Sequence, residues 1–571
     1  MCGISGIVGP MSDYAVPVGQ MVQAQRHRGP DAHAVYCDAQ VGLGHNRLSI
    51  IDLHETANQP FHSSCGRYVM VFNGEIYNYR ELKSRLFGHP FRTNSDTEVL
   101  VELYSKYGTE MLEWLNGMFA FAIWDKSERR LFCARDRFGV KPFYYAIHQG
   151  SLYFASEIKA LHAAGVEKNI DQTVLADYIA KGSYGMPDES FWSGIKQLPG
   201  GCTLSFEPSR GQVELKSYYD FVSRVQHTAQ LHSEAELKAA YHPLLHDAVS
   251  LRFVADVPVG FNLSGGLDSS LLLAFVNAAN PDKGEQIEAF TFYTGDPNYD
   301  ELPWVELLLE QEKNPLNRVK LSVDELPRLA EEVAKFQDEP FGGFPTIAYS
   351  GIFRQAREKG VKVLLDGQGM DEAWAGYDYY RSPASQSLVQ GTKSPLTRPA
   401  VFEADFLGAG RNVSYPKPFD SELLNLQYRD IFYTKIPRAL RFNDRVSMQH
   451  SVELREPFLD YRLVEFGFAQ EQKWKIRNQE GKWYLRQFAQ EVVPKRLSLA
   501  PKRPLQTPQR EWLRGELRDW ADSHIQQLAQ RDFIRGSELS KEWEAYQKGL
   551  SDNSFYVWQW INLNIILNTN N

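Results

Sequence analysis

The feature that most constrains this chain is the segment 264–270, which reads Ser-Gly-Gly-Leu-Asp-Ser-Ser. It follows an apolar run, 257–263, short enough for a buried strand, and precedes 271–276, the apolar side of a helix. Strand, glycine turn and helix together direct free backbone N–H groups and a helix dipole at an anion. Two glycines let that anion approach the backbone, and the serines add hydroxyl donors. The segment predicts a phosphate-binding loop, with a ligand-free Gly/Ser turn as the alternative.

Asp268 is unusual beside an anion unless a divalent cation bridges it to the phosphates. A Walker A loop is excluded because no Gly-Lys-Ser/Thr is present. The segment resembles the pyrophosphate loop (SGGxDS) of the ATP pyrophosphatase family, which cleaves ATP between the α- and β-phosphates and leaves an adenylated substrate. This resemblance implies an ATP site formed by Leu263, Ser264, Gly265, Gly266, Asp268, Ser269 and Ser270.

Length and charge narrow the class of protein. A chain of 571 residues suggests more than one domain, and a net charge of -9 argues against nucleic acid as the partner. We expect no membrane segment, because no apolar run approaches the length of a spanning helix. The five cysteines are scattered without a C-x-x-C pair, which predicts neither zinc nor a disulfide framework and favours the cytoplasm.

Cys2 becomes the N-terminal residue if Met1 is removed, and it then carries a thiol and an α-amine together. That pair suits a nucleophile with an adjacent base, although a cysteine at this position can be an incidental small apolar residue. The next 160 or so residues alternate short β-type runs with turns, interrupted by helical patterns near 79–86 and 96–107. We predict two packed sheets flanked by helices.

Several polar islands separate these strands. They are 26–31, 45–52, 73–78, 94–96 and 134–139. Together with Cys2 they resemble the class II glutamine amidotransferase domain, of the N-terminal-nucleophile type, from residue 1 to about 163. The resemblance implies an αββα sandwich in which the cysteine attacks the side-chain amide of glutamine and releases ammonia.

The resemblance also implies roles for residues of three of these islands, 45–52, 73–78 and 94–96. Asn73 and Gly74 match the pair that stabilises the oxyanion. Arg47 matches the guanidinium for the α-carboxylate of glutamine, and its α-ammonium is assigned to Asp96 and Glu75 with the backbone near Ile50. Read singly, Asn73-Gly74 could be a hairpin turn and Arg47 a surface ion pair. A structural ion-pair network is expected for Arg26, Arg28 and Asp31.

The chain loosens into polar alternation after Leu204, where we place the domain boundary. The predicted domains are 1–205 and 233–571, joined by a linker at 206–232. Ser233 is a plausible helix cap with Glu236 at the capping-box position. Strand-like runs at 287–293, 319–321 and 361–365 alternate with helical segments, which predicts a doubly wound parallel sheet with extra helices.

The acidic segment 366–372 follows one of these runs, at a carboxyl end where such sheets bind ligands. It matches a family motif, which implies that Asp366 and Gly367 contact ATP and that Asp371 holds Mg²⁺ with Asp268. The alternative is a helix N-terminus enriched in acidic residues.

Segments 441–448, 451–460, 481–486 and 499–503 resemble the C-terminal half of asparagine synthetases. The resemblance implies that Lys502 meets the pentavalent phosphorus during adenylation, whereas by itself it would be a solvated loop lysine. The segment 377–417 is rich in Ser, Gly and Pro and is interpreted as an insertion or mobile loop.

Nearly the whole chain thus resembles glutamine-hydrolysing asparagine synthetases. The resemblance implies ATP and Mg²⁺ as cofactors, L-glutamine and a carboxylate as substrates, an internal ammonia channel, an acyl adenylate, and a fold compatible with a homodimer. The family typically has a glutamate where this chain has Gln368, an amide that cannot pair with an α-ammonium as a carboxylate does. Aspartate is the leading acceptor by its frequency in the family, and Gln368 suggests a uronic acid sugar or a peptide carboxylate as the alternative.

Two other classes of function fit less well. A tRNA-modifying pyrophosphatase would have a basic face and often paired cysteines. A non-catalytic sensor of glutamine or adenylate would tolerate loss of Cys2, Asp268 or Lys502, and all three are present.

Overall fold

A computed structural model describes residues 2–282, 284–310, 312–381, 395–493, 507–551 and 553–569. Its N-terminal region contains two six-stranded antiparallel sheets. The strands are β1 (Gly3–Val8), β2 (Ala32–Asp38), β3 (Val41–Arg47), β4 (Phe61–His62), β5 (Tyr68–Ile76), β6 (Gly117–Asp125), β7 (Arg130–Arg135), β8 (Tyr144–His148), β9 (Ser151–Ala155), β10 (Ile195–Gln197), β11 (Cys202–Glu207) and β12 (Gln212–Ser217). Strand order is β10-β8-β9-β1-β3-β2 in the first sheet and β12-β11-β7-β6-β5-β4 in the second.

The helices of this region are α1 (Ala15–Ala24), α2 (Tyr79–Leu82), α3 (Asp96–Tyr107), α4 (Ile158–Ala163), α5 (Gln172–Lys181) and α6 (Phe221–His227). Helices α1 and α4 cover the outer face of the first sheet, and α3 covers that of the second. Strand β5 shows how the layers form, because alternate side chains of a strand point to opposite faces. Val69 and Val71 pack with Ile4 of the first sheet, whereas Met70 and Phe72 pack in the cluster that includes residues of α3. The predicted αββα sandwich is confirmed.

The C-terminal region is built on a five-stranded parallel sheet. Its strands are β13 (Val259–Asn262), β14 (Ala289–Tyr293), β15 (Leu316–Lys320), β16 (Val363–Leu365) and β17 (Glu453–Arg455), in the order β15-β14-β13-β16-β17; a separate small hairpin pairs β18 (Ile476–Arg477) with β19 (Glu480–Gly481). The chain runs outward from β13 in one direction and then continues from β16 in the other. The carboxyl ends of β13 and β16 therefore border the switch point at which such sheets bind ligands. This confirms the predicted doubly wound sheet.

Many helices surround this sheet, as predicted. Those before residue 400 are α7 (Glu234–Leu251), α8 (Leu267–Ala279), α9 (Leu302–Leu309), α10 (Leu326–Gln337), α11 (Phe344–Glu358) and α12 (Met370–Ala373). Those after it are α13 (Ala404–Leu407), α14 (Glu422–Phe432), α15 (Lys435–Gln449), α16 (Tyr461–Ala469), α17 (Gln472–Lys475), α18 (Trp483–Val492), α19 (Gln509–Arg514), α20 (Arg518–Leu528), α21 (Gly536–Gln547) and α22 (Phe555–Thr569). Within the described ranges, no helix is both long enough and apolar enough to span a membrane.

The segment 206–232, which we predict as a linker, contains ordered elements. Strand β12 pairs with β11 at the edge of the second sheet, and α6 follows it. The early part of this segment therefore belongs to the N-terminal sheet. The linker prediction is wrong there, because the polar alternation of an exposed edge strand resembles that of a loop. The capping box of α7 is present, with Ser233 and Glu236 bonded as predicted. The centre of the 377–417 segment, residues 382–394, lies outside the described residues.

Candidate active sites

Cys2 lies just before β1, where this strand approaches β5 of the other sheet. Its backbone N–H donates to Asn73 Oδ1 at 3.0 Å, and its Sγ is 4.0 Å from the carbonyl oxygen of Leu48. Burial raises the pKa of the Cys2 thiol, and the nearby Arg47 guanidinium opposes that rise. No described residue accepts a hydrogen bond from Asn73 Nδ2, although the residue is fully buried. A buried amide donor without a partner, next to a thiol, can stabilise an oxyanion formed there.

Gly74 has a positive φ of +150° inside β5. A Cβ on this residue would lie 2.1 Å from the carbonyl oxygen of Met118 in β6, so only glycine permits the close approach of the two strands. Asn73-Gly74 therefore belongs to a strand interior, and the hairpin-turn alternative is wrong.

Arg47 is buried, at 5% exposure, which is incompatible with the alternative of a surface ion pair. Its Nη1 donates to the carbonyl of His54 and to Asn58 Oδ1, each at 2.8 Å, and its Nη2 donates to the carbonyl of Asp52. The guanidinium is thus positioned by the loop after β3. The carbonyl of Ile50 accepts from Asp256 N at 2.8 Å, a contact with the C-terminal region.

Glu75 and Asp96 are two buried carboxyl groups in the same part of the sandwich. Asp96, the first residue of α3, accepts from Ile76 N at 2.9 Å, and burial raises its pKa to about 6. Burial, Glu453 and Asp96 raise the pKa of Glu75 well above its usual value. Arg455 of the C-terminal region lies 3.9 Å from Glu75. These contacts bring together the carboxyl groups assigned to the α-ammonium of glutamine.

The predicted ion-pair network joins the two regions. Arg28 contacts Glu157 at 2.7 Å and Asp444 at 2.8 Å, all three buried. Asp31 contacts Lys362 at 2.8 Å. Arg26 is exposed and forms no ion pair with another described residue, because its short helical turn directs it to solvent; its assignment to the network is wrong.

A cavity of about 790 Å³ lies at the carboxyl ends of β13 and β16. Leu263, Ser264, Gly265, Gly266, Asp268 and Ser269 line it, as does Gln368. Helix α8 begins after Gly266 without a side-chain cap, so its first N–H groups are available to an anion. Ser269 and Ser270 donate to backbone carbonyls of the loop at 2.6 and 2.7 Å. Ser270 is fully buried and is absent from this lining, so its hydroxyl secures the loop from behind.

Asp268 and Asp371 meet at one lysine. Lys482 Nζ lies 2.6 Å from Asp268 Oδ2 and 2.5 Å from Asp371 Oδ1. Burial disfavours the ammonium, yet the two carboxylates raise the pKa of Lys482 above its usual value. A Cβ on Gly376 would lie 1.8 Å from Asp371 Oδ1 and 2.4 Å from Lys482 Cε, so a larger residue here would displace the side chains of this cluster.

These carboxylates fit magnesium that arrives with a nucleotide. The Lys482 ammonium already occupies a position where one cation contacts both side chains. No group of three or more His, Cys, Asp or Glu side chains among the described residues could hold a metal alone. Two protein carboxylates with waters and phosphate oxygens are the ligands Mg²⁺ commonly keeps at nucleotide sites.

Asp366 and Gly367 line the same cavity, and burial raises the pKa of Asp366 to about 6. Lys502 lies outside the described residues. Lys482 is a candidate that sequence reasoning missed, although its segment, 481–486, stood out as family-like. Lys482 follows a two-residue strand and has a left-handed φ of 54°, and no sequence pattern predicts this position.

Two family models match different parts of the chain. A family model described as a glutamine amidotransferase domain matches residues 1–219, and one described as asparagine synthase matches residues 240–568. Glutamine-hydrolyzing asparagine synthetase 1 of Bacillus subtilis is 29% identical over 98% of this chain and 95% of that protein. A putative glutamine-hydrolyzing asparagine synthetase of Mycobacterium bovis is 31% identical over 98% and 95%. Amidase chry2 of Gibberella zeae is 28% identical over 82% of each chain.

Proposed function

This chain belongs to the family of glutamine-hydrolysing asparagine synthetases, and from that premise we propose that it amidates a carboxylate through an acyl adenylate, releasing AMP and pyrophosphate. It is a glutamine-dependent amidotransferase of the ligase type, and the family implies the use of ATP. The observation that carries the proposal is the contact of Asp268, Lys482 and Asp371 beside an uncapped helix N-terminus. That arrangement suits a metal-bound pyrophosphate leaving group.

At the N-terminal site, we assign the nucleophile to Cys2, whose α-amine becomes the adjacent base once Met1 is removed. Its sulfur attacks the amide carbon of glutamine, Asn73 Nδ2 and the backbone at Gly74 stabilise the oxyanion, and ammonia leaves. Water then cleaves the thioester to release glutamate.

Four residues of the same site orient the glutamine. The α-carboxylate is assigned to Arg47, and the α-ammonium to Glu75 and Asp96 with the carbonyl of Ile50. The burial of both carboxyl groups and their raised pKa values support this assignment, because an arriving ammonium would compensate two charges that have little access to water.

In the large cavity, Asp268 and Asp371 would hold magnesium, which supplies charge neutralisation for the leaving pyrophosphate. ATP is assigned to the loop residues that line the cavity, 263–266 and Ser269, with Asp366 and Gly367 at the neighbouring strand end. Lys482 is proposed to stabilise the negative charge that grows as the acceptor carboxylate attacks the α-phosphorus. Lys502 is proposed for the same role from the family motif alone.

The acceptor is proposed to be aspartate, as in the relatives whose names identify them as asparagine synthetases. Gln368 favours a second candidate, a carboxylate without an α-ammonium such as a uronic acid or a peptide. A neutral amide lines the cavity at this position, and it offers no charge to pair with an amino group. A homodimer is proposed from the family resemblance alone.

The test is ATP–pyrophosphate exchange with aspartate, glucuronate and a C-terminal peptide carboxylate, each with and without Mg²⁺. We expect Mg²⁺-dependent exchange with at least one acceptor, and the fastest acceptor identifies the substrate class. Formation of ADP in place of AMP, or an absence of exchange with all three, would contradict the proposal.

A further inference from the structure

A second carboxylate lies beside Asp366, between the two sites. Glu456 follows β17 directly, as Asp366 follows β16, and Asp366 N donates to the carbonyl of Arg455 at 2.9 Å. The two acidic residues therefore emerge next to each other from neighbouring parallel strands. Because ligands bind at the carboxyl ends of such strands, Glu456 lies at the functional edge of the sheet.

The Glu456 carboxylate is buried without a hydrogen-bonded partner, although the buried ammonium of Lys141 lies near enough to favour its ionised form. It is 4% exposed, and no described donor reaches either oxygen with hydrogen-bond geometry. Burial and the neighbouring Asp366 raise its pKa well above the usual value, although the nearby backbone N–H of Gln368 favours the ionised form. Burying a carboxylate without a partner costs folding free energy, so the position of Glu456 points to a role in function and not in stability.

Glu456 lines a small cavity of about 20 Å³ that could hold a ligand for its carboxylate. It lies between the two regions, with Gly117 and Met118 on one side and Glu456 on the other. The carbonyl of Met118 is the atom that closely faces Gly74, so this cavity lies next to the strand that carries the proposed oxyanion pair. Its volume is enough for roughly one water-sized molecule, and ammonia has that size.

Other charged groups around this cavity already have partners. Arg252 contacts Asp460 at 2.7 Å, Arg137 donates to the carbonyl of Leu115 at 2.6 Å, and Asp136 accepts from Lys141 N at 3.0 Å. Glu456 differs from these groups because both of its carboxylate oxygens are available to a small polar molecule in the cavity.

We propose that Glu456 binds ammonia on its way from Cys2 to the acyl adenylate and accepts the proton that the nitrogen loses there. This inference rests on the proposed function. The nitrogen lone pair forms the C–N bond, and the bond from the acyl carbon to the phosphate oxygen breaks, with its electron pair leaving on AMP. The nitrogen then carries one proton too many for an amide, and Glu456 takes it before passing it to water.

The test compares Glu456→Gln and Glu456→Asp with the unmodified enzyme, using glutamine or ammonium chloride as nitrogen source and aspartate and glucuronate as acceptors. Amide and pyrophosphate are measured in the same reaction. In Glu456→Gln we expect glutamine hydrolysis and ATP–pyrophosphate exchange to persist, while amide formed per pyrophosphate falls about 100-fold. Glu456→Asp keeps a carboxylate and should recover at least about tenfold of that loss.

Glu465→Gln is the matched control. Glu465 is also buried, its pKa is raised mainly by burial, and it accepts from Tyr219 at 2.8 Å, away from both cavities. Its amide-to-pyrophosphate ratio should stay at the unmodified value. A normal ratio in Glu456→Gln, or loss of exchange together with amide, would overturn the assignment. Absence of pyrophosphate release in the unmodified enzyme with aspartate, glucuronate and the peptide carboxylate alike would instead refute the proposed function, and this inference with it.

Discussion

The N-terminal site and the large cavity differ in how their polar groups are held before any substrate binds. Around Cys2, backbone and side-chain hydrogen bonds fix Arg47 and Asp96 inside the sandwich, and a bulky residue cannot replace Gly74. In the cavity of about 790 Å³, two carboxylates are instead held by the single ammonium of Lys482. The first site is preorganised for one small substrate. Under the proposed function, the second exchanges an internal cation for a nucleotide and its metal, so its side chains have to rearrange.

The largest effect should separate the two sites. Asp268→Asn and Asp371→Asn each remove a carboxylate from the cluster with Lys482. Each should raise the activation barrier for pyrophosphate release by several kcal/mol, which lowers its rate about 1,000-fold. Glutamine hydrolysis should remain within about twofold of the unmodified rate, because a single substitution in the distant cavity leaves the geometry of the N-terminal site intact.

Asp378→Asn is the control for those two variants, because Asp378 lines the same cavity and accepts from Tyr379 N. It should release pyrophosphate normally. Full synthetic activity in Asp268→Asn or Asp371→Asn would remove that residue from the site.

Asn73→Ala should impair glutamine hydrolysis and spare the reaction in the large cavity, the reverse of the two preceding variants. Removing the amide donor should lower the kcat of glutamine hydrolysis by about 100-fold, a typical cost for one oxyanion donor. Amide formation from ammonium chloride should persist, as measured in parallel with the glutaminase assay. An unchanged glutaminase kcat would remove Asn73 Nδ2 from the proposed oxyanion site.

Gln368→Glu tests which acceptor the large cavity prefers. If the natural acceptor lacks an α-ammonium, a glutamate here introduces a buried charge that only an amino group can compensate. The ratio of exchange rates for aspartate over glucuronate should rise about tenfold, which corresponds to one charge-assisted hydrogen bond. Efficient asparagine formation by the unmodified enzyme, with an unchanged ratio in Gln368→Glu, would rule out the second candidate and leave aspartate as the acceptor.

The smallest effect is a pH dependence of glutamine binding. Asp96 must be ionised to bind an α-ammonium, and burial raises its pKa to about 6. Ionisation of Asp96 should therefore make the KM for glutamine rise by up to about tenfold for each pH unit below that value. Asp96→Asn should bind glutamine weakly and lose the part of the pH dependence that comes from Asp96. A KM that stays flat from pH 7 to pH 5 would contradict the assignment.

Local elements and their loops could be predicted from the sequence. The helix Asp96–Tyr107, the capping box at Ser233 and the loop before α8 follow from nearby residues, and the structure has them there. The pairing of Asp268 with Asp371 follows from the resemblance of their two segments to family motifs, and in the structure both carboxylates contact Lys482.

Contacts across the two regions could not be predicted. Arg28 meets Asp444, 416 residues away, and Arg455 lies near Glu75 only because the regions pack together. Lys482 and Glu456 belong to motifs that the sequence indicated, but their positions depend on the end of a small hairpin and on the order of parallel strands. No local pattern encodes either.

The most direct test of the central claim, that one site supplies nitrogen to the other, is Cys2→Ala assayed for amide with two nitrogen sources. With glutamine, amide formation should fall below detection, because no nucleophile remains to release ammonia. With ammonium chloride, amide formation and pyrophosphate release should continue at rates close to those of the unmodified enzyme. Glutamine-dependent amide in Cys2→Ala, or loss of ammonia-dependent synthesis in the folded variant, would contradict the account.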